Sequence, residues 1–363
     1  MVGFALMGCG QIATKHVNAL LGHVPDARIV AACDPDEARA AKIGGLANCP
    51  TYRSFKEMLQ HHGDEIAVVN VLTPTGHHLA GVLEVAAAGK HAVVEKPLAL
   101  SIEDSLRMVE ACREAGTELF VVKQNRFNQP IRKLYEALQA GRFGKIVMAT
   151  VRVRWKRDQG YYDKDAWRGT RAFDGGVLAN QASHHLDLLL WLVGDVESVS
   201  AYTARRLVEV ETEDTAVAIL RFAGGALGVV EATTGSRPKD LEASISILGE
   251  GGAVEIGGFA TDQVRTWQFQ NQLPEDREIA DGHIKNPEDR SYAHGQFLQQ
   301  VVARLKGEPS EAVDGEEALR TVRLLEALYS ASDMSSHGSE RVAVPAPAQV
   351  TATRPRDMMQ AAD

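Results

Sequence analysis

At 363 residues, 45% hydrophobic and 24% charged, the chain is long enough for two domains with separate cores. A net charge of −9 argues against broad nucleic-acid binding, because phosphate backbones select basic faces, yet it leaves room for one local basic pocket. Cys9, Cys33, Cys49 and Cys112 form no CxxC pair and no apolar run is long enough to cross a bilayer, as expected of reduced thiols in a cytoplasmic protein without membrane partners.

Residues 2–7 are a short apolar run that breaks into Gly8-Cys9-Gly10-Gln11-Ile12-Ala13. Leu6-Met7-Gly8-Cys9 faintly resembles a lipoprotein cleavage site but lacks a basic leader, so the run reads as a first strand. A helical pattern follows through Leu21, with Ile12, His16, Ala19 and Leu20 on one side, and 27–33 is a second strand ending at Asp34. A GxGxxA turn between strand and helix, with an acidic residue closing the next strand, reads as a dinucleotide site rather than a plain βαβ unit with a glycine turn and a surface Asp. Gly8 permits the tight turn, and Gly10 lets backbone approach a pyrophosphate. Ala13 allows close helix packing, and the free N–H groups at Gln11 and Ile12 face the phosphates. Asp34 accepts from the adenosine ribose hydroxyls and repels a 2′-phosphate, which predicts NAD rather than NADP.

The alternation continues. Residues 66–72 read as a buried strand ended by Thr73-Pro74, with a helix over 78–88 closed by Gly89. Strand 91–94 leads into Glu95-Lys96-Pro97, Ser101 and Asp104 open a helix to 115, and 119–122 is one more strand. The pattern predicts a doubly wound parallel sheet over 1–122, with ligands beyond the carboxyl ends of the strands. Thr73, Pro74, His77, Glu95, Lys96 and Gln124 fall at such ends and are expected cofactor contacts.

The second domain is expected over 123–340. Pro130 opens a helix to 140, and 146–155 alternates with Val147, Ala149, Val151, Val153 and Trp155 on one face. Further strand-like runs at 196–204, 216–222, 227–234, 243–248 and 253–256 fit a large, open, mostly antiparallel sheet. A helix over 181–193 carries His184 and Asp187, and two more are expected from Tyr292 to 305 and over 316–332. Arg152, Arg154, Lys156 and Arg157 share a basic face that suits a diphosphate or a sugar carboxylate, or else a subunit contact. Residues 341–363, with Pro345, Pro347 and Pro355, read as a mobile or subunit-facing tail.

Three motifs together resemble one family, that of glucose–fructose oxidoreductase and inositol dehydrogenase (Gfo/Idh/MocA). They are the glycine turn, Glu95-Lys96-Pro97, and the segment from Gly175-Gly176 through Asn180-Gln181-Ala182-Ser183-His184-His185 to Asp187. The resemblance spans about residues 1–335. It implies a Rossmann domain followed by an α/β domain, with homodimers or homotetramers formed through the large sheet. It makes Lys96 the active-site lysine, followed by a proline often in a cis bond, and His184 the catalytic histidine. The family usually has Asp at the position of Asn180, so here Asn180 is expected to bind substrate rather than share a proton. Trp167 and Arg168 match a region near the cofactor. Asn125, Arg126, Arg154, Gln181, Tyr292 and His294 are expected substrate contacts. His185 lies about 100° around the helix from His184 and is expected to pack or to touch ligand. No glutamate or cysteine joins the histidines at ligand spacing, so no metal is expected.

Within the family, Lys123-Gln124-Asn125-Arg126-Phe127-Asn128 and the Asn180–His185 wording are similar to bacterial UDP-N-acetyl-2-amino-2-deoxyglucuronate dehydrogenases. That likeness implies NAD-dependent oxidation of a sugar-nucleotide 3-hydroxyl in surface polysaccharide biosynthesis. An inositol or free-sugar dehydrogenase, and a non-catalytic NAD-binding regulator, are the alternatives.

Overall fold

The computed structural model describes residues 1–334 and 342–343. The first sheet is fully parallel, in the order β3-β2-β1-β4-β5-β6. Its strands are β1 (Val2–Met7), β2 (Ala27–Cys33), β3 (Thr51–Tyr52), β4 (Val68–Val71), β5 (His91–Val94) and β6 (Leu119–Val121). Helices α1 (Gln11–His23), α2 (Glu37–Ala47), α3 (Phe55–His62), α4 (His78–Ala87) and α5 (Ile102–Glu114) connect them. Asp36, Ser54 and Ser101 cap α2, α3 and α5 by accepting from backbone N–H groups one turn in. Alternate residues of the strands face two separate cores, Ala5, Val69 and Val71 in one and Phe4, Leu6 and Val68 in the other. Both faces of the sheet are therefore covered, as a parallel sheet requires.

The second sheet has eight strands in the order β13-β12-β11-β7-β10-β9-β8-β14. They are β7 (Ile146–Arg154), β8 (Val196–Ala204), β9 (Thr215–Phe222), β10 (Leu227–Thr233), β11 (Glu242–Gly249), β12 (Gly252–Gly257), β13 (Gln263–Phe269) and β14 (Val342–Ala343). All neighbours are antiparallel except the central β7–β10 pair. One face packs α6 (Gln129–Gln139) and α8 (Ser183–Val193) against Val151, Val153, Ile245 and Ile247. Short helices α7 (Gln159–Tyr162) and α9 (Asp276–Ala280) lie in the connections.

Three details differ from the sequence expectation. Val147 is 55% exposed, because the core-facing row of β7 begins only at Ala149. The helix expected to start at 181 begins with a π-turn, Leu178–Ala182, before α8. Val342–Ala343, expected in the tail, extends the sheet beside β8, and 344–363 lie outside the described residues. The last helices return to the first domain. On α10 (Tyr292–Leu305), Phe297, Leu298 and Val301 join the core of Phe4 and Leu6; on α11 (Gly315–Met334), Leu319 and Val322 join that of Ala5 and Val71.

Candidate active site

The glycine turn has the geometry a dinucleotide needs. Gly8 has φ +99°, and a Cβ there would come within 2.9 Å of the Leu72 carbonyl carbon. A Cβ on Gly10 would meet nothing within 4 Å, so that side of the turn is open to a ligand. Gly10 starts the 13-residue α1 without a side-chain cap, leaving its first N–H groups and positive end free for phosphate. Asp34 is held against this turn: its Oδ2 accepts from Cys9 N–H at 2.7 Å and its Oδ1 from Asp36 N–H at 2.9 Å. The residues fit NAD. Burial pushes the neighbouring thiols of Cys9 and Cys33 up to about 12, so they stay protonated.

The ends of β4 and β5 are tied together by His78, which the sequence reading did not single out. Its Nε2 lies 3.0 Å from the Thr73 carbonyl and its Nδ1 3.0 Å from that of Pro97. The Lys96–Pro97 bond is cis. Beside it, Thr73 Oγ1 is buried without a partner. His77 is exposed and packs its ring on Phe173 at 4.8 Å.

Lys96 reaches across to the second domain, where its Nζ donates to the Asn180 carbonyl at 2.8 Å. Asn180 lies one helical turn before His184, and the Lys96 charge acts on the His184 imidazole. The carboxylate missing at position 180 stands one side chain away: Asn180 Nδ2 donates to Asp174, whose other oxygen accepts from Gly169 N–H at 2.7 Å. Burial raises the Asp174 carboxyl against the pull of these hydrogen bonds and of Lys96. His184 Nε2 lies 3.3 Å from the Gln124 amide nitrogen and so accepts from it, which puts the ring proton on Nδ1. That Nδ1 and Gln124 Oε1 are both buried and unpartnered. Burial, and then the Lys96 charge, hold the His184 imidazole well below its ordinary value, so it is neutral at physiological pH. Burial likewise lowers Lys96, against the attraction of Glu95 and Asp174.

Behind Lys96, Glu95 Oε1 is 2.9 Å from His16 Nε2 and 3.8 Å from His294 Nε2, all three side chains being buried. Burial pushes the Glu95 carboxyl up, but the His16 hydrogen bond and the nearby charges outweigh it and keep the group ionised. Asn70 Nδ2 donates to His16 Nδ1 at 2.9 Å, so His16 Nε2 carries the proton given to Glu95. This is the one group among the described residues with metal-ligand atoms in mutual reach, within 4.8 Å of one another. His294 thus faces Glu95 rather than an open site, and Tyr292 packs edge-on to His23.

Two expected substrate contacts are committed elsewhere. Arg126 is buried and grips Asp187 with two hydrogen bonds of 2.8 Å, its third nitrogen meeting Glu317. Arg154 pairs with Glu231, and Arg152 stands near Glu231 and Glu242, so acidic neighbours neutralise the basic face on the open side of the sheet. Asn125 and Gln181 are buried beside the site. His185 is 1% exposed and stacks edge-on against Trp155 at 6.2 Å, with both ring nitrogens unpartnered. Arg168 lies over the Trp167 ring and pairs with Asp165, which Arg39 ties to α2 on the Asp34 side of the turn.

The chain is similar over most of its length to proteins of known activity. The chain is 40% identical to the WlbA dehydrogenase from Bordetella pertussis, solved in complex with NADH and UDP-GlcNAcA. That match covers 95% of this chain and 98% of the other, with a TM-score of 0.89. A scyllo-inositol 2-dehydrogenase (NAD(+)) from Bacillus subtilis is 29% identical over 70% of this chain and 73% of its own. A D-apiose dehydrogenase from Paraburkholderia graminis is 30% identical, but the match spans only 64% of this chain and 60% of that enzyme. Family models for the NAD-binding Rossmann fold and the C-terminal α/β domain match residues 2–123 and 135–339, and the chain belongs to the Gfo/Idh/MocA oxidoreductase family.

Proposed function

We propose that the protein is an NAD-dependent dehydrogenase that oxidises a secondary hydroxyl of a UDP-sugar, the 3-hydroxyl of UDP-N-acetyl-2-amino-2-deoxyglucuronate, for surface polysaccharide synthesis in the cytoplasm. The reading is carried by the contact from Lys96 to the Asn180 carbonyl, which brings an ammonium within one helical turn of a neutral imidazole at the strand ends. The substrate class rests on the 40% identity, over 95% of the chain, to a dehydrogenase solved with UDP-GlcNAcA.

The Gly8–Gly10 turn, the free end of α1 and Asp34 would hold NAD, which would supply a hydride acceptor. The chain's own residues handle the proton and the charge. His184 accepts the hydroxyl proton at Nε2, the substrate hydroxyl taking the place of the Gln124 amide there. Lys96 stabilises the developing alkoxide, its charge held by Glu95 on one side and Asp174 beyond Asn180 on the other. Asn180 and Gln181 orient the sugar, Gln124 holds the imidazole, and Trp167 and Arg168 flank the adenosine end of the cofactor. The open face of the second sheet exposes Tyr202, Val217, Ile219 and Leu227, an apolar surface that suits a homodimer or homotetramer.

The inositol dehydrogenase among the relatives supports a second reading, a free polyol as substrate. A panel of UDP-GlcNAcA, scyllo-inositol and D-apiose, each with NAD and with NADP, separates the two by NADH formation. Turnover of UDP-GlcNAcA alone is expected; turnover confined to free polyols overturns the substrate assignment. Lys96→Met and His184→Ala are expected to abolish turnover while NAD still binds. Full activity in both would remove the mechanism, and NAD binding without single-turnover reduction in the wild type would favour a regulator.

A further inference from the structure

The Gly175-Gly176 pair opens the segment that carries Asn180 and His184, and its two glycines are needed for different reasons. Gly175 has φ +71°, a conformation that favours glycine. Gly176 has no such constraint, yet a Cβ there would lie 1.8 Å from the carboxylate of Glu213. The second glycine makes room for that carboxylate.

Glu213 lies in the loop entering β9 and grips the turn twice. Its backbone carbonyl accepts from Val177 N–H at 3.0 Å, and its Oε1 from Leu178 N–H at 3.0 Å. The same oxygen accepts from Tyr329 OH of α11 at 3.0 Å, and the Tyr329 oxygen accepts from Gly176 N–H at 3.4 Å. Next to it, Thr212 Oγ1 reaches the carbonyls of Gly169 and Gly175, each at 3.2 Å. The π-turn has no side-chain cap of its own. Glu213 and Tyr329 supply the partners that the N–H groups of residues 176–178 would otherwise lack. Two residues further on, the Asn180 carbonyl receives Lys96; six residues on is His184.

We propose that Glu213 is a positioning residue for the dehydrogenase reaction: its carboxyl oxygen, seated against Gly176, sets how far the helix of Asn180 and His184 advances toward Lys96. It does not touch the reacting groups. The sheet, through the loop into β9, and α11, through Tyr329, fix the turn from two sides, and the turn fixes the catalytic helix. The proposal rests on the dehydrogenase reading. Turnover by the wild type establishes that reading, and the variants then test Glu213 alone.

The experiment compares Glu213→Gln, Glu213→Ala, Gly176→Ala and the double variant G176A/E213A, by steady-state kinetics, NAD binding and thermal unfolding. Glutamine keeps the acceptor oxygen, so kcat should stay within about twofold of wild type; alanine removes it, and kcat should fall by at least about tenfold with NAD affinity unchanged. G176A should show the same kcat loss from the opposite side. In the double variant the methyl occupies the space left by the carboxylate, so the two losses should not add. If E213A does not fold, G176A carries the same comparison. Wild-type kcat in E213A or G176A, losses that add in the double variant, or a Glu213→Gln variant as slow as the alanine would each overturn the proposal.

Discussion

Arg126→Met separates two roles that one arginine could fill. In the structure Arg126 is 5% exposed and Asp187 2% exposed, and the guanidinium meets both carboxylate oxygens at 2.8 Å. Asp187 has two lesser partners, Lys123 Nζ and Thr321 Oγ1, each at 3.3 Å. Removing one side of a buried, hydrogen-bonded ion pair costs about 3–5 kcal/mol, because the other charge stays behind. Lys123 compensates part of the stranded carboxylate, which places the expected loss near the lower end, about 3 kcal/mol. With a urea dependence of about 3 kcal/mol per molar, the unfolding midpoint should drop by about 1 M. The assay is urea unfolding of the apo protein, followed by KM for the sugar substrate under native conditions. A lowered midpoint with unchanged KM is expected. An unchanged midpoint with a raised KM would refute the reasoning and return Arg126 to the substrate site.

Three other perturbations test separate parts of the structure. A base held below 6.5 is neutral, hence active, down to lower pH, while a lysine held below 10.5 loses its proton earlier on the alkaline side. The kcat/KM profile should therefore fall on the acid side below pH 6.5 and on the alkaline side below pH 10.5, and an acid limb above 6.5 would contradict a neutral His184. Asp34→Ser removes the carboxylate facing the ribose, so the preference for NAD over NADP should shrink by about tenfold or more; an unchanged ratio would place the selectivity elsewhere. Burial raises the Glu213 carboxyl from 4.5 to about 7, so the folded state holds that proton more tightly than the unfolded chain. The stability this confers is complete below pH 4.5 and is lost as pH rises through about 7, by up to about 3 kcal/mol. Glu213→Gln should abolish that fall in a series of thermal melts, and parallel pH slopes for the two proteins would contradict it.

What the sequence revealed was whatever local period and local chemistry determine. Gly8, Gly10 and Asp34 owe their roles to one strand–turn–helix unit, and their geometry follows from spacing. Lys96 and His184 became legible through motifs, since 88 positions of chain separate them. Asp174 and Glu213 carried no such signal, because their partners Asn180, Leu178 and Tyr329 are chosen by tertiary packing. Arg126 reads as a substrate contact from its place two positions after Gln124 at a strand end, while its pairing with Asp187, 61 residues away, is chosen by tertiary packing. Among the elements, α2 carries Gly44-Gly45 in its interior, where Gly44 lets Thr51 approach, and this blurs its helical pattern. On the edge strand β13 only Trp267 and Phe269 are buried, too few to show a period of two.

The residue at 180 decides where negative charge stands relative to the base. An aspartate there would place a carboxylate one turn from His184 and favour its protonated form, keeping the imidazole nearer its ordinary value. With Asn180, the charge sits on Asp174, behind an amide that donates to it, and the Lys96 cation, the largest charge influence on His184, drives the imidazole down. Asn180→Asp tests this directly. The new carboxyl would lie against Asp174, and two like charges at that distance share one proton, leaving one net negative charge closer to the base. The acid limb of kcat/KM should then move up in pH, and Asp174→Asn in the same background should leave it raised, because the charge that matters has moved to position 180. If N180D leaves the acid limb where the wild type has it, the charge at 180 does not reach His184, and burial together with the Lys96 charge sets the strength of the base.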